Sequence, residues 1–207
     1  MRAQEDLPSW TALDSPITDS YDDVFYVSKN KLFYALCNNG AVESWDLTNP
    51  SSPKRSLVIS AELPRYPPKM DNHHWCVRRD SYARTCLAES SGELLMVKRY
   101  ESNARDPDMD GKTVAFDVYK RDFVENKWVY VQSLGDRVLF MGQNHSVSLS
   151  AHDFPGLREN SIYFTAQSIE NSYASHDFGV FNLEDDSIHH SDLKDIQPSP
   201  IWVVPDL

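Results

Sequence analysis

The densest set of oxygen ligands in this 207-residue chain is Asp106-Pro107-Asp108-Met109-Asp110-Gly111, with Asp117 at the twelfth position of the same run. Carboxylates at alternate positions around a glycine turn suit a hard cation such as calcium, and the spacing is that of an EF-hand loop with Asp in place of the closing Glu. The flanks argue against it. Val97 to Tyr100 and Val114 to Tyr119 have strand composition, whereas an EF-hand needs a helix on each side. A calcium-binding hairpin would also need a carboxylate nearer the glycine, where Val114 stands. The plainer reading is a solvated hairpin loop, so Asp106, Asp108, Asp110 and Asp117 form a candidate calcium site at which no metal is expected.

Two other clusters carry suggestive residue types. His73-His74-Trp75-Cys76 offers imidazole and thiolate, the ligands of zinc or copper. Adjacent histidines on a strand point to opposite faces, so a loop around a buried Trp75 is the simpler account. His145 lies between Asn144 and Ser146, with His152-Asp153 shortly after, which supplies the residue types of a Ser-His-Asp triad. No nucleophile elbow accompanies them, and these polar groups are expected to satisfy hydrogen bonds of turns. No catalytic residue, no cofactor and no enzymatic activity are expected.

The elements that must position these residues are strands. Lys31 to Cys37 is aromatic and aliphatic, Asn38-Asn39-Gly40 is a hairpin turn in which glycine takes the positive φ, and Ala41 to Leu47 returns. The layout recurs at Thr85 to Glu89, Ser90-Ser91-Gly92 and Glu93 to Tyr100, and again from Thr113–Lys120 through 122–126 to Lys127–Val131. A further unit couples Ser161–Thr165 to Asp177–Leu183. Recurrence at intervals of roughly 50 to 70 residues marks stacked, radially arranged sheets. The fold class is therefore all-β: a partial propeller of about three antiparallel blades, kelch-like and open rather than closed. Tyr21 to Val27 is placed to cover part of one edge, and a short helical turn is expected at Ser150 to Phe154, capped by the serine and stopped by Pro155-Gly156. No helical period longer than two turns is present.

Composition fits an ordinary globular protein, with 41% hydrophobic, 12% aromatic and 25% charged residues. No apolar run approaches the ~20 residues that span a bilayer, and no signal-peptide layout opens the chain, so an intracellular protein of cytoplasm or nucleus is expected. Cys37, Cys76 and Cys86 lack metal or disulfide spacing and are read as packing residues of a reducing compartment. A net charge of −11 without a basic stripe excludes nucleic acid as the main partner and favours a protein with a basic patch. Trp45, Trp128 and Trp202 are expected to pack between blades. The long connections 69–80 and 102–112 are where partner contacts belong.

The segments SLGDRVLFMGQNHSVSLSAHDFPGLRENSIYFT, DFGVFNLEDDSIHH and SPIWVVP resemble the carboxyl-terminal half of the plant F-box-associated β-propellers, the KIB-type and SKIP-like family. Tyr21 to Tyr26, Leu32 to Leu36 and Ala88 to Val97 extend the resemblance over nearly the whole chain. It implies target recognition for a ubiquitin ligase, with a helical F-box and further blades in front. Nothing here resembles an F-box. The first 20 residues are read as irregular, with two prolines in the first sixteen and no helical period, and 21–207 as the propeller segment. The implied function is that of a protein-interaction module uncoupled from the ligase adaptor, with self-association through open blade edges as a further expectation. The alternatives are a calcium- or other ligand-binding propeller domain using the Asp106 to Asp117 loop, or a truncated fragment without function.

Overall fold

Thirteen strands and one helix are formed by the residues that the computed structural model describes, which are 12–13, 20–49, 51–59, 72–103, 111–122, 124–142, 146–166, 177–191 and 201–202. The first sheet is a meander of β1 (Tyr21–Val27), β2 (Leu32–Cys37), β3 (Val42–Asp46) and β4 (Lys54–Ile59). Its central hairpin turns at Gly40, whose φ of 90° lies in the region closed to residues with a Cβ. The helix α1 (Asn72–Arg79) leads into the second meander: β5 (Ser81–Ser90), β6 (Glu93–Ser102), β7 (Thr113–Asp122) and β8 (Lys127–Tyr130). The third sheet holds β9 (Arg137–Met141), β10 (Val147–Ser150), β11 (Ser161–Phe164), β12 (Gly179–Asn182) and β13 (Ile188–His190).

The sheets stack because alternate side chains leave each strand on opposite faces. Phe25, Val27, Tyr34, Leu36 and Val42 of the first sheet pack against Leu87, Leu94, Met96, Tyr119 and Trp128 of the second. The other face of the second sheet sends Ala88, Leu95, Val97, Phe116 and Val118 into Leu139, Met141, Ile162, Phe164 and Phe181 of the third. A middle sheet covered on both sides has no water-facing positions to alternate, which is why β6 and β7 read as almost unbroken buried runs. Trp128 reaches across the first seam, its Nε1–H donating to Gly40 O at 3.1 Å, so it packs between sheets as expected.

Strands β1 and β10 both come against β5, and polar contacts pin those edges together. The Leu87 N–H donates to Asp23 Oδ2 at 2.7 Å, and Ser90 and Ser148 share a hydroxyl contact of 2.8 Å. With β1, β5 and β10 converging and β4, β8 and β13 at the far edges, the sheets radiate as three blades of an open propeller.

Three features depart from the expectations. First, 72–79 is helical, so His73, His74 and Cys76 stand on α1 rather than on a strand or loop; Cys76 is exposed, while Cys37 is buried. Second, the third sheet runs β10-β9-β11-β12-β13 and contains one parallel pair, β9 with β11, among antiparallel ones. The hairpin β9–β10 places β10 at the inner edge, so the chain must cross back through 151–160 to lay β11 on the other side of β9. Third, Ser150 does hold the next turn, its Oγ accepting from His152 N–H at 3.2 Å, but that turn stops short of a helix.

The outer corner of the third blade depends on Gly179. A Cβ there would lie 2.5 Å from His189 O and 2.7 Å from Cζ of the buried Phe164 ring. One neighbour is paired backbone and the other core, so neither gives way easily. Gly179→Ala is expected to cost about 1–3 kcal/mol, the usual range for overpacking, read as a lower urea midpoint at an unchanged slope. An unaltered midpoint would show that β13 does not pack as described.

Candidate functional site

Charge is buried at two points where blades meet, and both involve arginine. Arg99 on β6 is 1% exposed; its Nη2 donates to Asp177 Oδ2 at 2.7 Å, its Nη1 to Thr165 O at 2.7 Å, and its Nε to Thr113 Oγ1 at 2.7 Å. The same Asp177 oxygen accepts from Thr113 N–H at 2.9 Å and from the Thr113 hydroxyl at 2.5 Å. On its other side His190 Nδ1 stands 3.3 Å from Asp177 Oδ1. Burial opposes the charged carboxylate, but contacts from His190, Arg99 and Thr113 outweigh it and hold Asp177 below its ordinary range. This cluster ties β6 and β7 to the third blade.

The second centre is Arg78 at the end of α1, 3% exposed. Its Nε donates to Asp117 Oδ1 at 2.9 Å, and its Nη2 reaches Phe116 O at 3.3 Å and Asp186 Oδ2 at 3.1 Å. Tyr100 Oη donates to the remaining Asp117 oxygen at 2.8 Å. Here desolvation prevails, and Asp117 is raised above the usual carboxylate range despite Arg78. One guanidinium thus joins the helix, β7 and the turn between β12 and β13.

That turn forms one wall of a cleft of about 1090 Å³ at the seam of the second and third blades. Tyr130 ends β8 and Gln132, Ser133 and Asp136 come from the link to β9, Arg158 to Asn160 from the turn before β11, and Asn182 to Asp186 from the end of β12 and the turn after it. A smaller hollow of about 530 Å³ adjoins it, sharing Tyr130, Gln132, Ser133 and Asp136 and adding Glu93, Lys120 and Arg137. Asn160 braces the walls: its Oδ1 accepts from Leu134 N–H at 2.8 Å, its N–H donates to Arg137 O at 3.1 Å, and its carbonyl accepts from Leu183 N–H at 3.0 Å. It does so at a φ of 54°, a region asparagine tolerates better than most residues. The cleft carries Asp136, Glu159, Glu184, Asp185 and Asp186 against Arg158, so its field is negative. Tyr130 at its edge has a phenol pushed up to about 12 by burial and by Asp117 and Asp186 nearby, so it enters neutral, as a hydrogen-bond donor with an apolar ring.

The sequence model of the KIB1-4 beta-propeller family matches residues 1–182. The chain belongs to that family. Among curated relatives of this KIB1-4-type propeller, F-box protein SKIP23 of Arabidopsis thaliana is 28% identical over 94% of this chain and 48% of its own length. Putative F-box protein At3g25750 of the same plant is 28% identical over 90% of this chain and 46% of its own. F-box protein At2g17690 is 44% identical over a shorter stretch, 41% of this chain and 18% of that protein. The chain therefore spans at most about half the length of these relatives. No solved structure matches it.

The KIB1-4-type fold redistributes the residues singled out by type and spacing. Asp106, Asp108 and Asp110 lie outside the described residues, and Asp117 is taken up by Arg78 and Tyr100 on the buried face of β7. A carboxylate so engaged is not available to a loop metal, and among the described residues no group of three or more His, Cys, Asp or Glu is arranged to hold one. Asn144 and His145 also lie outside the described residues, whereas His152 and Asp153 are solvent-exposed on the turn after β10, 3.5 Å apart. The Ser150 hydroxyl beside them donates to Asp136 Oδ2 at 2.8 Å. Trp202 packs on Phe140 with ring centres 4.9 Å apart and donates to Met141 O at 2.9 Å. The walls of the cleft went unnoticed because they are turns that meet only after folding. The available signal was the run Glu184-Asp185-Asp186 next to an aromatic-Asn-Leu strand end.

Proposed function

We propose that this KIB1-4-type propeller is a protein-recognition module whose acidic cleft receives a basic segment of its partner, acting inside the cell by binding rather than by catalysis. The observation that carries this is the cleft between the second and third blades, where four carboxylates face Arg158 around a neutral tyrosine and a fifth, Asp186, is paired with Arg78. Such a site draws Lys and Arg by long-range field and can pair them with carboxylates once docked. The relatives named as F-box proteins support target recognition as the setting. The open outer sheets also make a second copy of the chain a candidate partner.

The test is binding of labelled peptide pools, Arg/Lys-rich and Asp/Glu-rich, followed by a pull-down from plant extract in which the ligase adaptor is scored. The basic pool is expected to bind, weakening as salt rises, and Glu184→Lys with Asp185→Lys should reduce its affinity by about tenfold or more, the order expected of two rim charges. Equal binding of both pools, or no effect of the double reversal, would overturn the assignment of the cleft.

A further inference from the structure

Tyr130 borders both hollows at the seam of the second and third blades. Half-buried at the end of β8, it sits opposite Tyr119 in the register of β7 with β8 and meets that buried ring edge to face, centres 5.6 Å apart. The two hollows differ in what they leave unpaired. In the smaller one Lys120 Nζ is 3.3 Å from Glu93 Oε1, and Arg137 donates from Nη2 to Ser148 O at 2.9 Å and from Nε to Ser148 Oγ at 3.2 Å, so both cations are engaged. In the cleft, Asp136, Glu159, Glu184 and Asp185 come from three separate turns to face Arg158, so the surplus of negative charge lies on that side of the ring. Elsewhere in the chain guanidiniums lie over aromatic rings, Arg78 over Tyr100 at 5.6 Å and Arg99 over Phe164 at 5.2 Å. Among the described residues no cation lies over Tyr130.

We infer, resting on the cleft as a receptor for a basic segment, that it selects arginine over lysine, laying one guanidinium on the Tyr130 ring with its edge donating to the carboxylates of the surrounding turns. A planar cation carries its donors in the plane of its fork, so its face can rest on a ring while its edge pairs with acceptors from two turns. An ammonium is compact and strongly hydrated; it must shed water to touch the ring and has no plane to match the acceptors. Tyr119 fixes Tyr130 before the partner arrives, so little side-chain freedom is lost on docking. Tyr130 is thus the specificity-determining residue, while the carboxylates supply an attraction common to both cations.

The test uses two labelled peptides of one sequence, except that every basic residue is arginine in the first and lysine in the second. The arginine peptide is expected to bind the unaltered chain about fivefold more tightly, inside the roughly two- to thirtyfold that one cation–π contact supplies. Tyr130→Phe keeps the ring and should keep the preference, whereas Tyr130→Leu should remove it by weakening the arginine peptide alone. Glu184→Lys with Asp185→Lys should weaken both peptides alike. On the unaltered chain, the Tyr130 ring protons, assigned by their absence from the Tyr130→Phe spectrum, should shift with the arginine peptide and much less with the lysine one. Equal affinities of the two peptides overturn the selection of arginine and leave the acidic cleft standing. If neither peptide binds, the cleft falls and the selection with it. Ring protons that do not move, or a folded Tyr130→Leu chain that keeps the preference, remove Tyr130 from the role.

Discussion

Asp177→Ala is expected to remove about 3–5 kcal/mol of stability, the range for taking one partner from a buried ion pair. Asp177 sits at 1% exposure and accepts three hydrogen bonds on one oxygen, from Arg99 and from the amide and hydroxyl of Thr113. Truncation leaves the Arg99 guanidinium buried with Thr165 O and Thr113 Oγ1 as its hydrogen-bond acceptors and the Glu101 carboxylate 3.6 Å away. Neutral oxygens and a more distant charge do not restore what the paired carboxylate supplied. Against a domain stability of roughly 5–15 kcal/mol, such a loss would bring the chain near its folding threshold. The double variant Arg99→Met with Asp177→Ala should be less damaged than Asp177→Ala alone, since it buries no uncompensated charge. Urea midpoints of both variants and each single change decide it. A loss below about 1 kcal/mol would place the pair in solvent rather than in the core.

The cluster also marks where sequence reasoning ends. Hairpins around Gly40, Gly92 and Asn126 were legible because turn chemistry and strand composition are local, and each turn has a residue at positive φ there. Arg99 and Asp177 are 78 positions apart, and nothing near either one marks it as half of a buried pair. The register of β11 beside β9 was equally hidden, since parallel pairing is set by packing across the seam rather than by a turn. The helix α1 escaped notice because a polar segment of eight residues, rich in His and Arg, has little apolar period to display. It is held by Arg78, whose partners Asp117 and Asp186 lie 39 and 108 residues away. Of the candidate site, the acidic run at 184–186 was visible as composition, but its place in a cleft depended on three separate turns meeting.

Arg78→Met is expected to destabilise the protein by an amount that grows with pH. Burial already raises Asp117 above its ordinary value, and Arg78 is the strongest of the contacts that pull it back. Without the guanidinium, the folded-state pKa climbs further while the unfolded value stays near ~3.9. A carboxyl whose folded pKa exceeds its unfolded one loses stability as pH rises through that interval, because the unfolded chain releases the proton more readily. The variant should therefore lose about 3–5 kcal/mol at neutral pH, and markedly less near pH ~4, where Asp117 is protonated in the folded variant and about half protonated in the unfolded chain. Asp177 in the unaltered chain has the opposite sign. Its folded pKa is depressed, so its contribution is present above the unfolded value and is lost as pH falls through the folded one. Urea midpoints of Arg78→Met and the unaltered protein, taken at neutral and at mildly acid pH, should converge on the acid side. Parallel losses at both pH values would mean that Arg78 acts by packing and by its bonds to Phe116 and Asp186, with Asp117 reached by water. Convergence would establish that one buried guanidinium keeps Asp117 charged while tying the helix to the turn that walls the acidic cleft.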